Sequence, residues 1–177
     1  MQLYLVKPDL TYFSDYNDMM REWCDSQKQI AQWFLDQPIP ALEDFAQLVR
    51  HLDDCAYGRV DPRFCSTTSY FVVDENDRLV GAASLRHYMT VEGMNTWGHC
   101  GYGIRPSERR KGYATQVLKM LLEEAKKRGI RRVLIGAHAS NIGSCKTIEK
   151  CGFSFVEEIQ DPYDEKERIR KYRIDNK

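Results

Sequence analysis

Ile104–Arg128, reading IRPSERRKGYATQVLKMLLEEAKKR, constrains the fold more than any other stretch of this chain. A strand-like run ends at Ile104, and Pro106, which has no N–H to give to a ladder, blocks its continuation. Arg109, Arg110 and Lys111 follow, then Gly112, then a helix. Ala114, Val117, Leu118, Leu121, Leu122 and Ala125 fall at i, i+3, i+4, i+7, i+8 and i+11, one apolar stripe of a 3.6-residue period. Gly129 stands where a C-cap glycine belongs, and Lys126, Lys127 and Arg128 suit the negative end of the helix dipole. A helix start carries unpaired N–H groups and partial positive charge, and glycine lets a ligand approach the backbone closely. With three cations just ahead of it, the turn points to a bound anion. An ordinary basic loop before an amphipathic helix accounts for the same residues, and the physics of the turn leaves both readings open.

The neighbouring residues narrow the choice. RRKGYA at 109–114 puts Arg109, Gly112 and Ala114 at the fixed places of the pattern Q/R-x-x-G-x-G/A. Ile104-Arg105-Pro106 ends the strand before it, and RRVLIGA reads as the strand after its helix. NIGSCKTIEKCGF at 141–153 then fits N-x-x-[AS]-x-x-x-x-E-K-x-G-F. In order and spacing these segments resemble the acetyl-CoA signature region of the GNAT superfamily of N-acetyltransferases. More narrowly, Gly98–Ala114 is similar to the phrase GHxGYxIRPSERRKGYA of a bacterial group of predicted acetyltransferases. The resemblance implies an α/β (α+β) fold with a mixed, mostly antiparallel sheet flanked by helices on both faces. It implies one N-acetyltransferase domain over residues 1–177, acetyl-CoA as co-substrate, no metal, and an amine of a small molecule or peptide as acceptor.

Site roles follow from the same resemblance. The backbone of Arg109–Thr115, including Arg110, Lys111, Gly112, Tyr113 and Ala114, is expected to hold the pyrophosphate. Backbone at Gly103 and Ile104 is expected to pair with the pantetheine arm and polarise the acetyl carbonyl. One preorganised donor of that type contributes about 3 kcal/mol. Asn141 matches the residue that bonds the arm, and a plain helix cap is an equal reading of it. Many members carry a tyrosine four residues after the small residue of the final helix, as acid for the leaving thiolate. Here Ser144 is the small residue and Ile148 stands in the tyrosine's place, with no proton to give. The acid then falls to Ser144, Tyr113 or water, with Ser144 the candidate. The departure also leaves open a catalytically weak acyl-CoA sensor of the same fold.

An alkyl ammonium, with a pKa of about 10.4, must lose a proton before it can attack. His99 lies on the strand entering the signature, and an imidazole pKa of about 6.5 suits proton removal, so it is the candidate base. A packed strand histidine is the plainer reading. Cys100 beside it forms no dyad with it, because successive strand side chains face opposite ways. Tyr102 shares the face of Cys100 and could reach the cleft, with core or surface burial the plainer reading; His87 and His138 have no motif support. The rival base is a carboxylate of the second helix, Glu43 or Asp44, acting through water.

Net charge is zero, yet it is unevenly spread. Residues 1–104 carry 8 Lys/Arg and 15 Asp/Glu, whereas residues 105–132 carry 10 and 3. The basic segment suits a polyanionic co-substrate and is too local for general nucleic-acid binding. A phosphate- or nucleic-acid-binding module is nevertheless the remaining alternative. The acidic front half is compatible with a cationic acceptor, although solvated acidic helices explain it equally. No apolar run approaches the roughly 20 residues of a membrane span, and the first residues lack a signal-peptide pattern. Six cysteines without a C-x-x-C pair fit reduced thiols in a cytoplasm, and no Cys/His cluster has zinc-ligand spacing. The oligomeric state is open, with a homodimer as one candidate.

Along the chain, Gln2–Val6 reads as a strand. Tyr12, Phe13, Tyr16, Met19, Met20 and Trp23 repeat at helical spacing behind a capping Asp9 and read as core. Leu42, Phe45, Leu48, Val49 and Leu52 mark a second helix, and in GNAT proteins this early helical region lines the acceptor site. Thr67–Asp74 and Arg78–Tyr88 read as a hairpin around Glu75-Asn76-Asp77. Thr96–Ile104 reads as the strand into the signature, residues 142–151 as a helix, and Phe153–Ile159 and Arg168–Ile174 as two last strands.

Overall fold

Each apolar stripe of the sequence is packed against a strand. A computed structural model describes residues 2–26, 34–35, 38–61, 64–90 and 96–176. In chain order these form β1 (Leu3–Val6), α1 (Phe13–Asp25), α2 (Leu42–Ala56), β2 (Thr67–Asp74), β3 (Leu79–Arg86) and β4 (Cys100–Ile104), then α3 (Tyr113–Lys127), β5 (Arg132–His138), α4 (Ile142–Lys150), β6 (Ser154–Gln160) and β7 (Arg168–Asp175). The strands form two antiparallel sheets, ordered β1-β2-β3-β4 and β5-β7-β6. None of the described helices is long and apolar enough to cross a membrane.

Helices cover both faces of the first sheet, as the α+β class requires. On one face, Tyr16, Met19, Met20 and Trp23 of α1 and Phe45 and Leu52 of α2 pack with Phe71, Val73, Leu79 and Ala82. On the other, Val117, Leu118, Leu121, Leu122 and Ala125 of α3 pack with Val72, Leu85, Val133 and Ile135, joined by Cys145 and Ile148 of α4. Full burial of each large side chain contributes about 1.5–3 kcal/mol. The β2–β3 hairpin turns where Asp74, buried, accepts the Asn76 and Arg78 N–H groups at 2.9 and 3.1 Å.

The expected strand Thr96–Ile104 is divided, and the division joins the sheets. The strand register with β3 covers Cys100–Ile104, and Arg86 N–H also donates to His99 O at 2.9 Å. The residues before it turn to β5: Gly136 N–H donates to Trp97 O at 3.0 Å and His99 N–H to Leu134 O at 2.7 Å. Gly98 adopts φ 71°, a left-handed conformation that a side chain would strain. A Cβ there would also lie 2.4 Å from Leu134 O. The seam between the sheets therefore requires glycine at this point.

At the far end of β4, Arg105 is 6% exposed and binds three groups. Its Nε donates to Glu22 Oε1 at 2.7 Å, and its Nη1 donates to Asp15 Oδ1 at 3.0 Å and to Leu79 O at 3.1 Å. Glu22 Oε2 also accepts Ser107 N–H at 3.1 Å. The end of β4 and the turn after it are thus tied to α1. Burial opposes ionisation of Glu22, but hydrogen bonds from Ser107 and Arg105 outweigh it and hold the carboxyl below its usual range.

A depressed carboxyl pKa gives stability that is present above the unfolded value, about 4.3, and is lost as pH falls through the folded value. Urea denaturation of Glu22→Gln should show a loss of about 1–2 kcal/mol at pH 7. The difference from the parent protein should shrink below about pH 4.3. A deficit that persists undiminished at pH 3 would show that the charge of Glu22 is not what stabilises the clamp.

Candidate active site

The turn between β4 and α3 starts with Pro106–Glu108 as a short 3-10 turn. Arg110 then takes φ 62° and Gly112 φ 83°. A left-handed non-glycine residue is strained, and such strain concentrates at ligand-binding turns. Gly112 precedes the first turn of α3, whose leading N–H groups have no intrahelical partner. A Cβ on Gly112 would meet nothing within 4 Å, so space stands open over the helix start. An anion fits there.

The three cations of the turn have separate tasks. Arg109 folds back, its Nε donating to Ile104 O at 3.1 Å, and its guanidinium carbon lies 6.0 Å from the centre of the Trp23 ring. Lys111 donates to Glu108 Oε2 at 2.8 Å, and Arg78 binds the other oxygen of that buried carboxylate at 2.8 Å. Arg110 is exposed and makes no hydrogen bond or ion pair with another described residue. The expectation that all three face one ligand needs correction: Lys111 is turned to Glu108 and does not line the cavity described next, while Arg110 remains available.

A cavity of about 960 Å³ begins at this turn. Gly103, Ile104, Arg109, Arg110, Gly112, Tyr113, Ala114, Thr115, Asn141 and Ser144 all line it. It is walled from both faces of the sheet. Val133, Ile135 and Ala137 of β5 pack with α3, so alternation turns Gly136 and His138 the other way. On β4, Cys100, Tyr102 and Ile104 lie toward α3 and α4. Gly101 and Gly103 alternate with them, opposite Ser84 and Ala82 of β3, and Ala82 packs under α1 and α2. Tyr102, Asn141 and Ser144 therefore approach the cavity from the α3–α4 side. Ser84, Arg86 and His138 approach it from the α1–α2 side.

Asn141 caps α4, its Oδ1 accepting Ser144 N–H at 3.0 Å. This is the capping role, and the Asn141 amide donors remain beside the cavity. Ser144 Oγ meets the Tyr102 hydroxyl at 3.0 Å. Burial pushes the Tyr102 phenol up to about 12, so it keeps its proton at neutral pH. Ile148 is fully buried in the core beneath. The phenol that α4 lacks thus reaches Ser144 from the facing strand. The sequence placed Tyr102 on the correct strand face, but nothing in the one-dimensional pattern brought it to Ser144.

His138, without motif support in the sequence, lines the cavity at the end of β5. Its Nε2 lies 2.8 Å from Asp161 Oδ2. Asp161 is buried and is held by the Tyr163 N–H on its other oxygen, at 2.9 Å. A carboxylate only accepts, so Nε2 is the donor, and in the neutral ring the lone pair falls on Nδ1. Trp97 packs edge-on against this imidazole, ring centres 4.9 Å apart.

His99 is placed differently. It is 6% exposed, and its Nδ1 accepts Leu134 N–H at 3.0 Å. That bond occupies the lone pair a base would use, and His99 does not line the cavity. Burial pulls its pKa down, aided by the nearby Arg86 guanidinium. The geometry makes it a seam residue, correcting the expectation of a base here. Cys100 is wholly buried and its thiol is pushed up to about 12 by that burial, which leaves no thiolate nucleophile. Glu43 and Asp44, the rival bases, sit exposed in the first turn of α2 and do not line the cavity. Among the described residues no cluster could hold a metal ion.

Comparison with known proteins agrees with this geometry. The family model described as acetyltransferase (GNAT) family matches residues 19–153. The chain belongs to the GNAT acetyltransferase family. Its fold is similar to that of the microcin C7 self-immunity acetyltransferase MccE, solved with acetyl-CoA and AMP. The TM-score is 0.75 at 17% identity, covering 98% of this chain and 92% of that one. It is similar as well to RimL, the ribosomal L7/L12 α-N-protein acetyltransferase solved with coenzyme A, at TM-score 0.75 and 17% identity over 99% and 94% of the two chains. Against dodecameric spermidine N-acetyltransferase from Vibrio cholerae the TM-score is 0.66 at 14% identity, with 99% and 94% covered. No match is found among curated protein sequences.

A structural His99 predicts a pH effect on stability. Its folded pKa lies below its unfolded value of about 6.5, so the folded chain binds fewer protons and stability falls as pH drops through that value. His87, also held low by burial and by Arg128, contributes with the same sign. His99→Gln should lower Tm at pH 7.5 and flatten the slope between about pH 7 and 5.5. A slope unchanged in the variant would mean that other groups carry the effect.

Proposed function

We propose that this protein is an acetyl-CoA-dependent N-acetyltransferase acting on a primary amine, and that its chemistry runs across the gap between β4 and β5. The observation that carries this reading is one cavity with an anion seat and a hydroxyl pair on one face and a carboxylate-held imidazole on the other. The residues fit a CoA thioester: open space stands over Gly112, Arg110 is unengaged, and Asn141 keeps two amide donors for the arm. When bound, acetyl-CoA supplies the acetyl group as an activated thioester.

The chain's residues then divide the work. N–H groups of the first turn of α3, with Arg110, bind the phosphates; each charge-assisted bond is worth about 1.5–3 kcal/mol. Backbone at Gly103 and Ile104 orients the arm along the edge of β4. His138 Nδ1 accepts the proton of the incoming ammonium, and Asp161 fixes the ring and stabilises the imidazolium. Ser144 gives a proton to the departing sulfur and recovers one from the Tyr102 phenol, and the second proton shed by the acylated nitrogen returns through solvent to Tyr102, which burial keeps protonated. A catalytically weak sensor is the second reading, favoured by the loss of a tyrosine at Ile148; the Tyr102–Ser144 pair weighs against it.

Isothermal titration with acetyl-CoA, followed by thiol-release assays over an amine panel, tests the proposal. Gly112→Glu should abolish acetyl-CoA binding while the fold persists. His138→Gln should cut kcat/KM by about 10²–10⁴-fold with acetyl-CoA affinity retained. His99→Gln should leave kcat/KM within a few-fold of the parent, about the spread expected of a packing change. Tyr102→Phe and Ser144→Ala should lower kcat by similar factors without raising KM for acetyl-CoA. Full activity in His138→Gln would remove the assigned base.

A further inference from the structure

Arg86 ends β3 on the α1–α2 side and lines the cavity. Its Nη1 donates to Gly98 O at 2.8 Å, which holds the side chain against the seam beside Trp97. Among the described residues no carboxylate lies within ion-pair distance of it. Every other buried or half-buried cation of this region has an assigned partner: Arg105 has Asp15 and Glu22, Arg78 and Lys111 share Glu108, and Arg109 caps Ile104 O. Burial pulls the Arg86 guanidinium below its usual pKa, a desolvation penalty that no neighbouring carboxylate offsets.

Among the described residues, the polar atoms of Arg86 apart from Nη1 have no hydrogen-bond partner, yet they are not sealed from solvent: the described buried side-chain atoms without a hydrogen bond are Asn17 Oδ1 and Ser69 Oγ. Arg86 itself lines the cavity. The other wall groups here are Ser84, Trp97 and His138, and the carboxylate in the lining, Glu108, lies at the opposite end, bound to two cations. Of the acidic residues of α1, Asp15 and Glu22 are engaged by Arg105. Among the described residues, a polyamine would meet at this wall a guanidinium without an ion-pair partner and no facing carboxylate.

We infer that the acceptor is an amine that also carries an oxyanion, a carboxylate or a phosphate, and that Arg86 is the residue that reads it. The inference rests on the acetyl-transfer reading above. A guanidinium fixed through one nitrogen still presents donors in a plane, the geometry that a carboxylate or phosphate accepts. The anion is held at Arg86 and the amine is presented to His138. The two positions are linked through Trp97, which adjoins Gly98 and packs on the His138 ring.

The test is a thiol-release assay on matched acceptors: amino acids, the amines left when each loses its carboxylate, and aminoalkyl phosphates of similar length. The parent protein should favour an acid-bearing member of the set, and the carboxylate and phosphate arms identify which anion is read. In Arg86→Met, KM for that acceptor should rise by about ten- to a hundredfold. KM for its anion-free partner and acetyl-CoA affinity by titration should stay unchanged. A structural role would move all three together and would overturn the inference. Should Arg86→Met not fold, the parent alone decides: deaminated acids should compete with the acceptor, and absence of competition overturns the inference. Equal or better turnover of the anion-free amines, or no turnover of any acid-bearing amine with acetyl-CoA bound, also overturns it while acetyl transfer stands. Failure to bind acetyl-CoA would instead remove the acetyl-transfer reading itself.

Discussion

A buried guanidinium at the end of β4 underlies the rest of this structure. Arg105 is withdrawn from water and compensated by two carboxylates of α1 and the Leu79 carbonyl. Removing one partner of such a cluster leaves uncompensated buried charge, so its members hold one another in place. It fixes where the strand stops, and the turn that follows has its own Ser107 N–H bound into the same cluster. The anion seat at α3 therefore stands on α1, a helix distant in sequence. It does not rest on the basic residues that advertise it.

Charge in this protein is sorted by task. The sequence presents a basic stretch and an acidic front half as if they were two surfaces for two ligands. In the fold, much of that charge is internal: Asp15 and Glu22 join Arg105, and Glu108 joins Arg78 and Lys111. Among the described residues, the arginines that line the cavity without a carboxylate partner are Arg110 by the helix start, Arg109, which is turned to Ile104 O, and Arg86 by the seam, which is held to Gly98 O. Counts of charge along a segment hide this distinction, because an ion pair and two free ions have the same composition.

The turn, its helix and the capping Asn141 were legible in the sequence because each is local: a spacing of 3.6, a glycine before a helix, a polar residue three positions ahead of Ser144. The hairpin strands were legible for the same reason. The split of Thr96–Ile104 was not, since it depends on β5 arriving beside Gly98. Tyr102 and His138 were passed over because their partners, Ser144 and Asp161, are brought close by packing across 42 and 23 residues of chain. His99 was chosen for the right chemistry, but it lies just before β4, and the seam took its lone pair.

The two-faced cavity bears on the order of events. Groups proposed to grip the donor lie on the α3–α4 side of the sheet, and those proposed to meet the acceptor lie on the other. Two molecules arriving by separate doors need not displace each other, and Cys100, whose thiol burial holds protonated, gives no thiolate to carry an acyl group between visits. Such an architecture favours a ternary complex with direct transfer. Its steady-state plots at several fixed donor concentrations are then intersecting lines, not parallel ones.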